Sequence, residues 1–442
     1  MAENTDQTGK GDKLSCLIQD TVLSLQENVR CEKAVKLQKA VAACINFFLV
    51  EGTKEEPMFK SAELIQVGSF AEGTKILEPD EFDFLVVIDE LSKPGAVAID
   101  NDLEKIQGQT HLPHSGYVTL VVADDNLKTK WVRYCENGLL QCFQNSIDRA
   151  RFGSIFIEVI RKLYTERVLL KKADAVVTCS STEIDFLNFG MGMPAVNDIG
   201  LNLRRVEFKT PNVLIDFEVD GMKIGVDLSP AIRYHRITDC FKPEDCAGAA
   251  LSDAILNRES LLLVANRNFD FRVTVTEAEV GYIQYIMKHE HKVIYIFLKY
   301  VNYSFTTNTW KWQPYSSYML KNICLRHDLN CQHETRTITF CFKDVLEDMN
   351  ACCSKLEITS AVNSKIDLCA SSALSSDKMT FGYRQYVVNA LTKISQQAVD
   401  IHNLEDFKEM LNCTVKKYLR RFQDWMDETH LFIYRQLRAK SE

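Results

Sequence analysis

Two carboxylates two residues apart, Glu81 and Asp83, open an apolar run that continues to residue 88. In a β-strand alternate side chains share a face, so Glu81 and Asp83 project together while Phe82, Phe84, Val86 and Ile88 pack the opposite side. Carboxylates paired in this way can share a hard divalent cation. Upstream lies Val67-Gly68-Ser69-Phe70-Ala71-Glu72-Gly73-Thr74. Gly68 allows the backbone to come close to a phosphate, and Ser69 stands where its hydroxyl and nearby N–H groups can cradle oxygens. The spacing Ser69-x-x-Glu72 also spells a capping box, which satisfies helix donors without any ligand. A third carboxylate, Asp227, falls in an apolar-alternating run over 222–228. Asp220-Gly221 joins that run to an earlier one over 213–219, a strong hairpin signal. Ile224, Val226 and Leu228 share one face of the second run and leave Asp227 on the other, beside the small Gly225.

These residues need elements to hold them. Residues 14–50 carry a helical pattern, with Leu37, Val41, Cys44, Ile45 and Phe48 on one stripe. Lys33, Lys36 and Lys39 flank that stripe, either as a solvated helix face or as a phosphate-contacting strip. Residues 1–13 are polar and read as a disordered tail. Residues 62–67 lead into the Gly-Ser turn. Residues 92–115, with Pro94-Gly95, Gly108 and Pro113, read as a loop with one short helical turn. A strand is expected over 117–123, and a helical, basic segment over 131–172. Beyond Pro230 helices dominate: from 277, over 293–303, from a Pro-Ser turn near 314, and over 343–353, 381–398 and 404–440. Ser-rich residues 371–376 read as a surface loop. The fold class is α+β, with a core lobe over 14–235 carrying the carboxylates and a helical lobe over 236–442.

The chain of 442 residues is 46% hydrophobic, enough for a large core and two lobes. Its longest apolar run, 41–50, falls well short of a bilayer span, and its first residues lack the basic and apolar regions of a signal peptide. A cytoplasmic location is therefore expected. Fifteen cysteines are scattered without a secretory signal, and an odd number cannot all pair, so reduced, mostly buried thiols are expected. A net charge of -8 argues against nucleic-acid binding by the whole surface but allows a local basic face.

With three acidic residues on two strands and a Gly-Ser turn, the sequence resembles the DNA polymerase beta-like nucleotidyltransferases. Gly-Ser-x-x-Glu-Gly-Thr, Glu-Phe-Asp and the Val-Asp-Leu-Ser-Pro-Ala-Ile stretch around Asp227 narrow this to the Mab-twenty-one family and, within it, the cGAS-like receptors. Residues 271–276, Leu298-Lys299-Tyr300 and Ser316-Ser317-Tyr318-Met319-Leu320-Lys321 occur in the order of that family's nucleotide-contacting segments. The resemblance covers about residues 14–435. It implies a bilobal fold with a mixed-sheet lobe, a long spine helix and a helical lobe. It also implies that Gly68 and Ser69 contact ATP phosphates and that Glu81, Asp83 and Asp227 hold Mg2+ or Mn2+. Arg272 and Thr274 would read a nucleobase, with Thr276 and Glu279 just beyond. Lys299, Ser316, Ser317, Tyr318 and Lys321 would engage the triphosphate or donor nucleotide. An ordinary helix-face lysine is the structural alternative for Lys299, and a helix cap for Ser317.

The implied activity is cyclic-dinucleotide synthesis from ATP and GTP or other NTPs, triggered by double-stranded nucleic acid in innate immune signalling. Lys33, Lys36 and Lys39 would contact that ligand, and dimerisation on it is left open. Vertebrate members carry a zinc-binding His and Cys insertion before the helix bearing the counterpart of Lys299. Here that place reads Met287-Lys288-His289-Glu290-His291-Lys292-Val293, without cysteine, so no structural zinc is expected there. Cys352-Cys353, Cys341 and His333 lack a standard finger spacing and read as core thiols and a lone histidine. Loss of the insertion favours double-stranded RNA over DNA as activator. The rival readings are a non-catalytic scaffold or partner-binding protein of the same family and a transferase that extends an RNA or protein.

Overall fold

The computed structural model describes residues 8–54, 56–100, 116–136, 139–140, 152, 155–156, 159, 177–179, 183–186, 191–193, 198–209, 212–266, 270–307, 314–332, 337–369, 378–401 and 403–439. The chain divides into two compact units. One, the sheet unit, comprises Glu27–Pro243 and Ser252–Gln284; the other, the helical unit, comprises Met1–Gln26, Glu244–Leu251 and Tyr285–Glu442. The protein is of mixed α and β structure, and no described helix is long and apolar enough to cross a membrane.

Helices α1 (Thr8–Arg30) and α2 (Glu32–Gly52) begin the chain. The continuous helix expected over 14–50 is interrupted at Cys31, which adopts extended backbone (φ -69°, ψ 159°) and caps α2. The helix also starts earlier than expected, taking in positions 8–13 of the supposed tail. Along α2, Leu37, Val41, Cys44, Ile45 and Phe48 are buried, as the 3.6-residue period requires.

The sheet unit continues with β1 (Ser61–Val67), α3 (Gly68–Ala71), β2 (Glu81–Ile88), β3 (Val97–Asp100), β4 (Tyr117–Val122) and α4 (Asp125–Trp131). Strands β5 (Cys135–Glu136), β6 (Leu139–Leu140), β7 (Val177–Cys179), β8 (Glu183–Phe186), β9 (Met191–Gly192) and β10 (Asn202–Lys209) follow. Next come β11 (Asn212–Val219), β12 (Met222–Tyr234), α5 (Ile237–Cys240), α6 (Ala249–Leu256, whose first three residues belong to the helical unit), β13 (Leu261–Ala265), β14 (Asp270–Thr274) and α7 (Thr276–Tyr285). The described strands form one mixed sheet: β12 pairs antiparallel with β11 and β13 and parallel with β2.

The structure departs from the sequence pattern at two places. β3 lies inside the segment read as a loop; residues 101–115 are outside those described. The helix expected from 131 gives way at once to a 3-10 turn over Val132–Tyr134 and the β5–β6 pair. The basic residues of 160–172, with Arg149 and Arg151, lie outside the described residues.

Phe82, Phe84, Val86 and Ile88 of β2 and Ile224, Val226 and Leu228 of β12 join the α2 stripe in the main core. The Asp220-Gly221 hairpin forms as its sequence demands. Val219 pairs with Met222, and both turn residues have positive φ, 51° and 81°.

The helical unit contains α8 (His289–Thr307), α9 (Ser317–Asn330), α10 (Ile338–Lys355), α11 (Lys378–Gln397) and α12 (Leu404–Ala439). Within it the first part of α1 packs with Leu14, Leu17, Ile18, Val22 and Leu25 buried, and Ser15 Oγ meets Thr339 Oγ1 at 3.0 Å. Among the described residues thirteen cysteines are free thiols. Burial pushes Cys44 and Cys240 up to about 12 and Cys352 up to about 11, so these thiols stay protonated. Ser371–Ser376 lies outside the described residues.

Candidate active site

Parallel pairing of β2 with β12 sets Asp83 opposite Asp227 and Glu81 opposite Gly225. Paired residues point to the same face of a sheet, so three carboxylates occupy one patch. Gly225 adds no side chain there, and its N–H donates to the Asp80 carbonyl at 2.7 Å. The apolar alternation of both strands fixes this register, because a slip of one residue would bury the carboxylates in the main core.

The Gly-Ser turn closes over the patch. Val67 at the end of β1 pairs with Asp83. Gly68 then turns with φ +72°, and a Cβ at this position would collide with Asp83 Oδ2. Both the left-handed backbone and the close approach require glycine. Val67, without a side-chain bond, is the N-cap of α3, so the capping box does not form. Glu72 is instead buried and accepts a bond from Thr74 Oγ1 at 3.2 Å. The Ser69 hydroxyl has no hydrogen-bond partner among the described residues.

Electrostatics mark the patch as short of positive charge. Burial first, then the charges of Glu81 and Asp227, push Asp83 up to about 7; Lys75 opposes them. Sequence reasoning missed Lys75. It is buried, with Nζ 2.9 Å from Asp80 Oδ1 and 3.2 Å from Glu81 Oε2. Burial lowers its ammonium, but the Glu81 charge and the Asp80 hydrogen bond outweigh this and raise its pKa above the ordinary lysine value. No motif flags Lys75. Its only signal is its place between the Gly-Ser turn and the acidic strand.

Arg272 and Thr274 lie further along the same face. Arg272 pairs with Val264, Val264 with Ala231, and Ala231 with Val87. Ala231 and Val87 stand four residues beyond Asp227 and Asp83, hence on the carboxylate side. Leu85, Val87, Ala231, Leu262 and Val264 form a small apolar floor between the two groups. Arg272 is exposed, and Thr274 Oγ1 accepts from the Thr276 N–H at 3.3 Å as α7 begins. Glu279 is buried, 2% exposed. A second feature missed from sequence holds this edge: Arg233 bridges Glu63 of β1 and Glu277 of α7.

The helical unit gathers the other predicted contacts. Tyr295 Oη donates to the Ser317 carbonyl at 3.3 Å, which brings α8 against the start of α9. One turn beyond Tyr295, the Lys299 ammonium lies 5.5 Å from its ring centroid, and that of Lys321 lies 4.7 Å from the Tyr318 ring. Both lysines are buried, at 8% and 6% exposure, and so are not solvated helix-face residues. Ser316, not Ser317, caps α9, accepting from the Met319 N–H at 3.1 Å. Asn302 clamps the preceding backbone through both the N–H and the carbonyl of Tyr315. Ser317 and Tyr318 are exposed. These residues belong to a different unit from the carboxylates.

Lys33, Lys36 and Lys39 share the exposed side of α2. Lys33 pairs with Asp220 at 3.0 Å and Lys36 with Glu32 at 2.8 Å. Such exposed pairs contribute little to stability and open readily to a competing polyanion. Compared with known proteins, the chain matches no family model and no curated protein sequence.

Proposed function

We propose that the protein is a metal-dependent nucleotidyltransferase that joins ATP and GTP, or other NTPs, into a cyclic dinucleotide when double-stranded nucleic acid, RNA in preference to DNA, binds it. The observation that carries this reading is the register that sets Asp83 against Asp227, with Glu81 beside them under the Gly68 turn. The oxygen-only donor set suits a hard cation, and the raised Asp83 is the behaviour of carboxylates crowded without enough positive charge. Mg2+ or Mn2+ held by Glu81, Asp83 and Asp227 would supply charge neutralisation at the phosphates and a more acidic acceptor hydroxyl.

The chain's own residues do the rest by positioning, which is most of what phosphoryl transfer asks of a protein. Ser69 and the Gly68 backbone orient the triphosphate above Asp83. Asp227 faces the acceptor side and takes the hydroxyl proton. Arg272 and Thr274, on the same face, contact a base across the apolar floor. In the helical unit, Lys299, Ser317 and Lys321 would engage phosphates of a bound nucleotide. The same site used twice, with the linear dinucleotide turned over between steps, closes the ring.

Activation would follow from contacts between the N-terminal helices and the segments that flank the Gly-Ser turn. Asn28 in the last turn of α1 donates to Glu78 at 2.9 Å, and Gln38 of α2 bonds Gln66 of β1, two residues before Gly68. Duplex nucleic acid packing on Lys33, Lys36 and Lys39 would bias the position of Gly68 and Ser69 through these contacts.

The test is incubation with the four NTPs, Mg2+ or Mn2+, and a panel of duplex RNAs and DNAs, followed by chromatography. A cyclic dinucleotide formed only with duplex present is the expected result. Extension of an added RNA or protein would replace cyclisation with a different transfer. No product under any condition would leave a scaffold or partner-binding role.

A further inference from the structure

The helical unit brings together four side chains that are far apart in sequence: His291, His327, Cys331 and Cys341. Their ligand atoms all lie within 4.8 Å of one another. His291 stands in the first turn of α8, and Cys341 in the first turn of α10. His327 and Cys331 lie four residues apart where α9 ends, so helical spacing turns both to one side. Three helix ends thus converge on two imidazoles and two thiols. In sequence, His289 and His291 have no neighbouring cysteine and Cys341 lacks a finger spacing, so no zinc is expected there; only the fold brings these side chains together.

We infer that His291, His327, Cys331 and Cys341 form a structural zinc site that ties together the adjoining ends of α8, α9 and α10. Two nitrogens and two thiolates are the donor set of a closed tetrahedral zinc site. His291 Nε2 lies 3.2 Å from Cys341 Sγ. Zn–N and Zn–S bonds of ordinary length at a tetrahedral angle put such a pair about 3.5 Å apart.

The surroundings complete the site. His291 Nδ1 bonds Asp328 Oδ1 at 2.5 Å, which fixes the tautomer that aims Nε2 at the cluster. His327 Nδ1 lies 3.7 Å from Asp348 Oδ2. Each ligating imidazole therefore has a carboxylate behind it, the usual outer shell of a zinc histidine. A plain hydrogen-bonded core accounts for His291, set between Asp328 and Cys341. It does not account for His327, which is 8% exposed and whose enclosed Nε2 has no hydrogen-bond partner among the described residues. An enclosed imidazole nitrogen without a partner is costly, and a metal ion satisfies it. An open groove lined by Asp344, Asp348 and Lys355 reaches His327 and Cys331 and gives the ion a way in.

These residues belong to the helical unit and the carboxylates to the sheet unit, so the test is independent of nucleotide chemistry. The full chain, purified without chelator, is expected to carry about one zinc per molecule by elemental analysis. Replacing zinc with Co2+ should give the thiolate charge-transfer absorption and strong visible bands of a tetrahedral Cys and His site. The double substitution Cys331→Ser with His327→Gln should reduce bound metal at least about tenfold. Cys352→Ser, a thiol on the same groove outside the cluster, should retain it. Should the double variant fail to fold, the cobalt spectrum of the unmodified chain decides the matter. Unmodified protein that holds no zinc and develops no thiolate–cobalt band would overturn the assignment, as would full zinc content in the folded double variant.

Discussion

At the scale of single residues, Asp83 and Gly68 depend on each other. Burial, with the charges of Glu81 and Asp227, pushes Asp83 up to about 7 in the folded chain, against an ordinary carboxylate value of 3.8. Between about pH 4 and pH 7 the folded state holds a proton that the unfolded chain has released, so cation-free stability falls as pH rises through this window. Urea unfolding at a series of pH values should show that decline, and Asp83→Asn should flatten it; parallel profiles for the two proteins would contradict the assignment. Gly68→Ala meets two obstacles, a left-handed φ that costs alanine about 1–2 kcal/mol and a collision with Asp83. Product formation should be lost while circular dichroism stays native. Ser316→Ala removes a helix cap and should lower stability by about 1 kcal/mol, read as a lower denaturation midpoint.

At the scale of elements, period-2 and 3.6-residue patterns made β2, the β11–β12 hairpin, α2 and the helices of the C-terminal half legible. In α2 and the β11–β12 hairpin the buried positions follow those periods. What escaped has physical causes. β5 and β6 are two residues each, too short to show a period. The break at Cys31 is a backbone turn without a glycine or proline to announce it. Lys75 and the Arg233 bridge depend on partners that only the fold brings close. The His and Cys cluster draws on three separate helix ends. Of the site itself, the facing of Glu81, Asp83 and Asp227 was readable from alternation, while their mutual register was not. The α2 strip yields its own prediction: reversing the charge of Lys33, Lys36 and Lys39 together should abolish duplex-dependent turnover, and unchanged activation would contradict the proposed activation route. Because duplex binding on Lys33, Lys36 and Lys39 would release counterions from the phosphates, activation should also weaken steeply with salt.

At the scale of the whole molecule, the sheet unit supplies a carboxylate patch facing a turn that only glycine can make. The helical unit supplies two buried lysines beside an exposed serine. The central claim is that the patch is a divalent-metal site for a nucleoside triphosphate. The most direct measurement is Mn2+ binding by electron paramagnetic resonance in the presence of a non-hydrolysable ATP analogue, comparing the full chain with the folded double variant Glu81→Ala, Asp83→Ala. Nucleotide-dependent Mn2+ uptake by the unmodified chain, lost in the variant, is the predicted result. Equal uptake by the two proteins, or none by the unmodified chain, would contradict it.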